Sequence, residues 1–127
     1  MERGYFMSSV EEKQAKIVNA LIKANQRGDL TWKPLENNPG CVFTQINDKF
    51  VYLDNYHSNG TDSIKVEIYA NGDMADSFVD DDLSSSDVTS VTNETWFMTL
   101  TGLLESARRK SSGADEILDS LLKDLGE

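Results

Sequence analysis

The spacing of apolar positions changes early in the chain, from a helical to a strand period. Over residues 9–27 apolar residues recur about every 3.6 positions with polar ones between them, which predicts an amphipathic helix. Ser8 and Ser9 each stand three positions before a glutamate, the arrangement of an N-terminal capping box. We therefore predict that residues 1–8 form a flexible extension and that residues 9–127 form one domain.

Beyond this helix the apolar positions alternate and turn residues recur at short intervals, as in an antiparallel meander. CVFTQI, which follows a turn-rich loop, is predicted to form a hairpin with KFVYLDNY. SIKVEIYA lies between two Asn-Gly turns and alternates between a buried and a wet face. DMADSFV is either a short fourth strand or an irregular segment, so the meander has three to four strands. A short lead strand at residues 31–33, ended by the next proline, precedes it.

The helical period returns towards the C-terminus. Residues 96–110 carry an apolar stripe and end in basic residues, which suit the negative end of a helix dipole. Gly113 separates this helix from a further one over residues 114–125. An N-terminal helix, an antiparallel meander and two C-terminal helices make the predicted fold class α+β.

The size and composition of the chain are those of one globular domain. Its 127 residues suffice for one hydrophobic core and are too few for two ordinary domains. No apolar stretch reaches the roughly 18 to 20 residues of a membrane-spanning helix, and the N-terminus lacks the apolar core of a signal peptide. The single cysteine, Cys41, excludes an internal disulfide, as in a reducing compartment. We therefore expect a cytoplasmic protein.

The charge of the chain is negative, and the excess is local. The net charge is −10, from 22 acidic and 12 basic residues, and residues 73–94 hold seven acids without a lysine or arginine. Direct binding to nucleic acid or to an anionic membrane needs a positive face, so we expect neither. The charge favours a protein partner with a basic surface, and a homodimer is a further option.

The acidic run contains one motif with a known chemistry. Asp82, Ser84 and Ser86 spell D-x-S-x-S, in which one carboxylate and two hydroxyls offer oxygen ligands to a hard cation such as Mg²⁺. In the von Willebrand A domains that use this motif, it follows the first strand of a longer parallel α/β fold, which the pattern here does not match. The alternative interpretation is that DDDLSSSD forms a solvated loop that includes the N-cap of the next helix.

Residues that usually carry catalysis are sparse in this chain. His57, the only histidine, stands beside an Asn-Gly turn and is expected in an exposed loop, and Cys41 is expected to be a small core residue. The sequence has no G-x-S-x-G, Walker A, G-x-G-x-x-G or H-E-x-x-H motif. We therefore expect a protein that is not an enzyme and that needs no cofactor.

Two tyrosines are the best candidates for aromatic anchors at a binding surface. Tyr69 shares the polar phase of its strand with Lys65 and Glu67, and Tyr56 lies near a strand end, so both are expected to be exposed. The exposed sheet face offers a flat surface to a partner or to a second copy. The predicted partner-binding residues are these two tyrosines and five residues of the acidic run, Asp76, Asp80, Asp81, Asp82 and Asp87.

Four segments give the chain a resemblance to small, mostly uncharacterised α+β proteins of bacteria and prophages. They are GDLTW after the first helix, FTQINDKFVYL and IKVEIYANGD as paired strands, and the C-terminal LLESARRKSSGADEILDSLLKDL. Such proteins often accompany mobile elements or defence loci. The resemblance therefore implies a binding or regulatory role.

Three functions are open at this point. The first is a non-enzymatic acidic binding protein of phage or prophage type, an inhibitor or regulator of a basic, nucleic-acid-handling host protein such as a defence-system component. The second is a dimer similar to type III secretion chaperones that binds an effector segment, which a hydrophobic groove would distinguish from the first. The third is a divalent-metal-binding module at Asp82, Ser84 and Ser86.

Overall fold

The computed structural model describes the backbone of residues 5–127 and the side chains from residue 10 onward. Its α+β class is confirmed, with one helix before an antiparallel sheet and two helices after it. The sheet has five strands, more than the three to four that were predicted, in the order β1-β2-β3-β4-β5. The elements are α1 (Tyr5–Gln26), β1 (Trp32–Leu35), β2 (Asn38–Ile46), β3 (Lys49–Ser58), β4 (Thr61–Ala70), β5 (Asp73–Val79), a 3₁₀ helix (Asp80–Ser85), α2 (Trp96–Ser112) and α3 (Ala114–Asp124).

The strand count was too low because two segments with weak patterns belong to the sheet. β1 continues through Pro34, which an edge strand tolerates since one of its sides has no ladder hydrogen bonds to lose. β2 already begins at Asn38, within the segment predicted as a turn-rich loop. β5 is a complete edge strand along β4, and an irregularity between Ile68 and Tyr69 accommodates its broken alternation.

The two Asn-Gly turns form as predicted and set the register of the hairpins. Asn59 and Gly60 have φ angles of 52° and 76°, and Asn71 and Gly72 have 57° and 83°. Two consecutive residues with positive φ form the turn whose twist matches that of paired strands, and asparagine and glycine adopt this conformation at the lowest cost. β4 is therefore paired along its whole length with β3 on one side, and with β5 on the other.

The hydrophobic core lies between one face of the sheet and the pair formed by α1 and α2. Alternate residues of the central strands point into it, and the buried sides of the two helices cover them. Leu83 of the 3₁₀ helix is fully buried and closes the core beyond β5. The core is formed by Ala15, Val18, Leu21, Ile22, Trp32, Val42, Val51, Leu53, Ile64, Val66, Phe78, Leu83, Leu100, Leu103, Leu104 and Ala107.

The segment between the 3₁₀ helix and α2 is held by hydrogen bonds to α1. The side chain of Asn19 donates to the Thr89 carbonyl at 3.0 Å and accepts from the Val91 N–H at 3.1 Å. The N-cap of α2 is Thr95, whose hydroxyl accepts from the Met98 N–H. The prediction that the DDDLSSSD stretch contains this cap is therefore wrong, because the segment after it is long enough for a later hydroxyl to take the position.

The boundaries of the outer helices agree with the sequence pattern to within a few residues. α1 begins at Tyr5, before the predicted capping box, and ends at Gln26. Residues 1–4 of the predicted extension lie outside the described residues, so that extension stays a prediction. α3 matches its predicted range, and Gly113, with a left-handed φ of 67°, ends α2 and begins α3. Among the described residues, no helix is both long enough and apolar enough to cross a membrane.

Candidate functional site

The acidic run begins with a carboxylate that the fold uses internally. Asp80 is 8% exposed, and its Oδ1 accepts a hydrogen bond of 2.8 Å from the backbone N–H of Ile64 on β4. This bond ties the start of the 3₁₀ helix to the sheet. A carboxylate in this position satisfies a buried donor and does not lie at a surface that a partner can reach.

Two further aspartates of the run also make structural contacts. Asp82 Oδ2 accepts from the Val79 N–H at 2.9 Å and so caps the first turn of the 3₁₀ helix. Asp76 is half-buried on the helix side of the sheet, where its Oδ2 accepts from the Gln14 side chain of α1 at 2.9 Å. Of the five aspartates predicted to bind a partner, Asp81 and Asp87 are exposed and, among the described residues, have no hydrogen bond or ion pair through their side chains. Partner binding by them stays a prediction.

Two of the four side-chain oxygens of the D-x-S-x-S motif accept hydrogen bonds from the backbone. One carboxylate oxygen of Asp82 takes the cap of the 3₁₀ helix, and the Ser86 hydroxyl accepts from the Val88 N–H at 3.2 Å. Ser84 is exposed. In the part of the chain that the structure describes, no group of three or more histidine, cysteine, aspartate or glutamate side chains is placed to hold a metal ion. Asp82 and Ser86 of the motif therefore cap nearby backbone N–H groups. The role of the motif as a metal site stays a prediction.

The face of the sheet opposite the helices carries a cluster of aromatic rings, which we call the ring face. The rings of Phe43 and Tyr52 stack with centroids 5.1 Å apart, and Phe50 lies 6.3 Å from Phe43. Tyr69 meets Tyr52 edge-on at 5.2 Å. All four rings are half-buried and touch one another across β2, β3 and β4. Such pairs favour offset and edge-on geometries, so the cluster forms a continuous apolar surface.

The two tyrosines predicted at a binding surface lie on this face of the sheet. Tyr69 belongs to the ring cluster, and Tyr56 is exposed further along β3, with the Lys65 ammonium 5.0 Å from its ring centroid. The exposed aspartates lie beyond β5, in and after the 3₁₀ helix that packs on the helix side. The predicted site is therefore divided between two sides of the molecule. Sequence reasoning missed Phe43 and Phe50, although their alternation with buried neighbours was the available signal.

The charged residues of the ring face form two ion pairs, and the exposed Lys33 beside Phe43 has no ion pair among the described residues. Lys65 lies 3.4 Å from Glu67 on the same strand, and Arg108, at the C-terminal part of α2, reaches Asp54 at 3.5 Å. Arg108 also donates to the Gly40 carbonyl at 2.7 Å, which fixes its position at the edge of the face. The centre of the face is therefore aromatic, with one cationic side chain, Lys33, at the β1 edge.

Two residues have potential nucleophilic or acid–base chemistry. Cys41 stands two positions before Phe43 on the same face of β2, and His57 lies near the end of the β3–β4 hairpin. Cys41 is buried at the start of β2, and burial raises the pKa of its thiol, with the nearby carboxylates of Asp54 and Glu67 adding to the effect. A thiol with a raised pKa is a poor nucleophile. His57 is exposed and pairs with Asp62 across the end of the β3–β4 hairpin at 2.6 Å.

An apolar groove lies on the other side of the molecule, between α1 and the sheet. It has a volume of about 430 Å³ and opens to solvent beside the C-terminal half of α1. Its walls are mostly aliphatic, and the ion pair of Arg27 and Asp29 lies at one end, with a distance of 2.8 Å. The apolar lining consists of Ile17, Ala20, Leu21, Ala24, Leu30, Ile46 and Val51.

Comparisons with protein-family models, with curated proteins and with solved structures gave no match to this chain. The ring face, the groove and the acidic run are therefore the features from which a function is inferred.

Proposed function

We propose that the protein is a non-enzymatic binding protein that contacts a protein partner through the ring face of its sheet. The observation that carries the proposal is the stacked cluster of Phe43, Tyr52 and Tyr69 on a face that no described helix covers. Tyrosine and phenylalanine are enriched at interface centres because each buries a large area and has few torsions to restrict.

The charge distribution supports a partner that is basic around an apolar patch. Two ion pairs and the single cation Lys33 are the charges of the ring face, so short-range recognition depends mainly on the rings and on the tyrosine hydroxyls. The net charge of −10 acts over a longer range and raises the association rate of a positively charged partner. The proposal keeps the expected basic protein partner and assigns the contact itself to the rings. The phage or prophage setting stays a prediction from the resemblance.

The test is affinity capture from the source cell with three matched forms of the protein. The ring variant is Phe43→Ser/Tyr69→Ser, and the acid variant is Asp81→Asn/Asp87→Asn, which changes only exposed carboxylates. For a partner identified with the wild type, we expect the ring variant to weaken binding by at least about 30-fold, as two truncated interface anchors do. The acid variant should change mainly the association rate and its salt dependence.

Circular dichroism and thermal unfolding of each variant show that the loss of binding is not a loss of folding. Full binding by the ring variant together with lost binding by the acid variant would contradict the ring face as the contact. That result would support direct recognition by the acidic run instead.

The chaperone-like dimer remains the second candidate function because the apolar groove is the feature expected of it. The groove variant Ala20→Glu/Ala24→Glu replaces two small side chains that line the groove without touching the ring face. A captured partner that this variant loses and the ring variant retains would favour a groove-bound apolar segment over the first proposal.

A further inference from the structure

The C-terminal helix α3 is amphipathic but has almost no packing of its own. Its four large apolar side chains and that of Leu125, the residue after it, are between 49% and 67% exposed, and none of the helix residues is buried. An isolated helix of 11 residues is marginal in water because helix formation needs a costly nucleus and gains little without packing. The apolar side of α3 therefore needs a surface to cover it. The five side chains are Ile117, Leu118, Leu121, Leu122 and Leu125.

The exposed side of α1 presents a matching apolar stripe along the edge of the groove. Val10 and Ile17 are 55% and 38% exposed, and Ala20 and Ala24 continue the same line at spacings of three and four residues. Such spacing forms a seam for a second helix, and alanines allow a close approach. The stripe from Val10 to Ala24 is about 21 Å long and α3 about 16 Å, so the whole of α3 fits along it.

The two surfaces also have opposite charge. Residues 10–24, along which the stripe runs, contain three lysines and two glutamates, a net charge of +1, whereas Ala114–Asp124 contain four acids and one lysine, a net charge of −3. Lys16 and Lys23 are exposed beside the apolar stripe. An acidic helix with an apolar stripe is thus complementary to this side of α1 and would be repelled by most of the remaining, acidic surface.

We infer that the groove binds α3 of a second copy of this chain, and that the protein forms a symmetric dimer in which each copy inserts its α3 into the groove of the other. In the structure α3 leaves α2 through the single residue Gly113 and does not cover the groove of its own chain. A two-fold axis repeats the contact, so ten large apolar side chains become covered at once. This dimer does not involve the ring face and is independent of the proposed function.

The first test measures the mass of the wild type by light scattering over a range of concentrations. We expect a dimer for the wild type and monomers for the helix variant Leu118→Glu/Leu121→Glu and for the groove variant Ala20→Glu/Ala24→Glu. Each variant should weaken self-association by at least about 100-fold, because it places two carboxylates in an apolar contact. The matched controls Ser120→Glu/Lys123→Gln, which alters the polar side of α3 by the same charge, and Gln26→Glu on α1 should remain dimeric.

The second test mixes the two monomeric variants. The groove variant still carries an intact α3 and the helix variant an intact groove, so one productive contact remains in the mixture. We expect a heterodimer of intermediate affinity that neither variant forms alone. Three of the four altered side chains are exposed in the monomer and Ala24 is half-buried, so circular dichroism checks that both variants keep their fold.

The outcomes separate this dimer from other arrangements. A wild type that stays monomeric at all concentrations overturns the inference. A groove variant that remains dimeric overturns it as well, since the copies would then pair through α3 alone or through the ring face. Failure of the mixed variants to associate excludes the exchange of α3 into the groove. Because the ring variant leaves both surfaces intact, it should dimerise like the wild type whether or not the proposed function holds.

Discussion

At the scale of single residues, two neighbouring aspartates in the 3₁₀ helix have different environments. Asp80 is buried and accepts a hydrogen bond from the Ile64 N–H, whereas Asp81 is exposed. We expect Asp80→Ala to lower the free energy of unfolding by about 1–3 kcal/mol, because a buried backbone donor loses its acceptor. Asp81→Ala should change it by less than about 0.5 kcal/mol. Urea unfolding measures both values.

The comparison of these two variants isolates the hydrogen bond from the charge. Each substitution removes one negative charge from a chain of net charge −10, so any relief of repulsion is common to both. Equal free energies of unfolding for Asp80→Ala and Asp81→Ala would contradict a structural role for Asp80.

The sequence alone could not separate these two aspartates. The partner of Asp80 is a backbone group 16 residues earlier in the chain, and the contact exists only because β5 returns along β4. Tyr69 was more predictable, since the strict alternation of β4 places it on the face opposite to the buried Ile64 and Val66. Its contact with Tyr52 depends on the register of the β3–β4 hairpin.

At the scale of elements, Asn25 near the end of α1 joins three of them. Its Oδ1 accepts from Trp32 Nε1 of β1 and from Lys110 Nζ of α2, each at 2.9 Å, and its Nδ2 donates to the Ser106 hydroxyl at 3.0 Å. We expect Asn25→Ala to lower the free energy of unfolding by about 1–3 kcal/mol, because the indole N–H of a buried tryptophan loses its acceptor. Urea unfolding followed by circular dichroism gives this value.

The conservative variant and a neighbour supply the controls. Asn25→Asp keeps the acceptor for Trp32 and Lys110 and loses only the donor to Ser106, so it should cost less than Asn25→Ala. Gln26→Ala, on the exposed side of the same helix, should be close to neutral. If Asn25→Asp were as unstable as Asn25→Ala, the acceptor for Trp32 would not be the important contact.

Elements with a strong period were predictable, and their partners were less so. The pattern located α3 almost to the residue, because its apolar positions recur at helical spacing, yet no local signal indicates what covers them. The apolar stripe predicted over residues 96–110 includes Phe97, which is 40% exposed because the buried side of α2 centres on Leu100, Leu103, Leu104 and Ala107. Packing, which is not local, decided both cases.

At the scale of the whole molecule, the net charge of −10 should make folding depend on ionic strength. The Debye length falls from about 30 Å at 0.01 M salt to about 8 Å at 0.15 M, so repulsion among the acidic groups is screened. The described ion pairs lie largely at the surface and are worth little individually, so their screening costs less than the relief of repulsion gains.

We therefore expect the melting temperature to rise by a few degrees when NaCl increases over this range. For a domain of this size, such a rise corresponds to a gain of about 1 kcal/mol in the free energy of unfolding. Calorimetry at a fixed protein concentration keeps the contribution of self-association nearly constant. The variant Asp81→Asn/Asp87→Asn lowers the magnitude of the net charge by two and should show a smaller rise, because both carboxylates belong to the acidic run where repulsion is concentrated. A melting temperature that falls with salt would mean that the ion pairs outweigh the excess of negative charge.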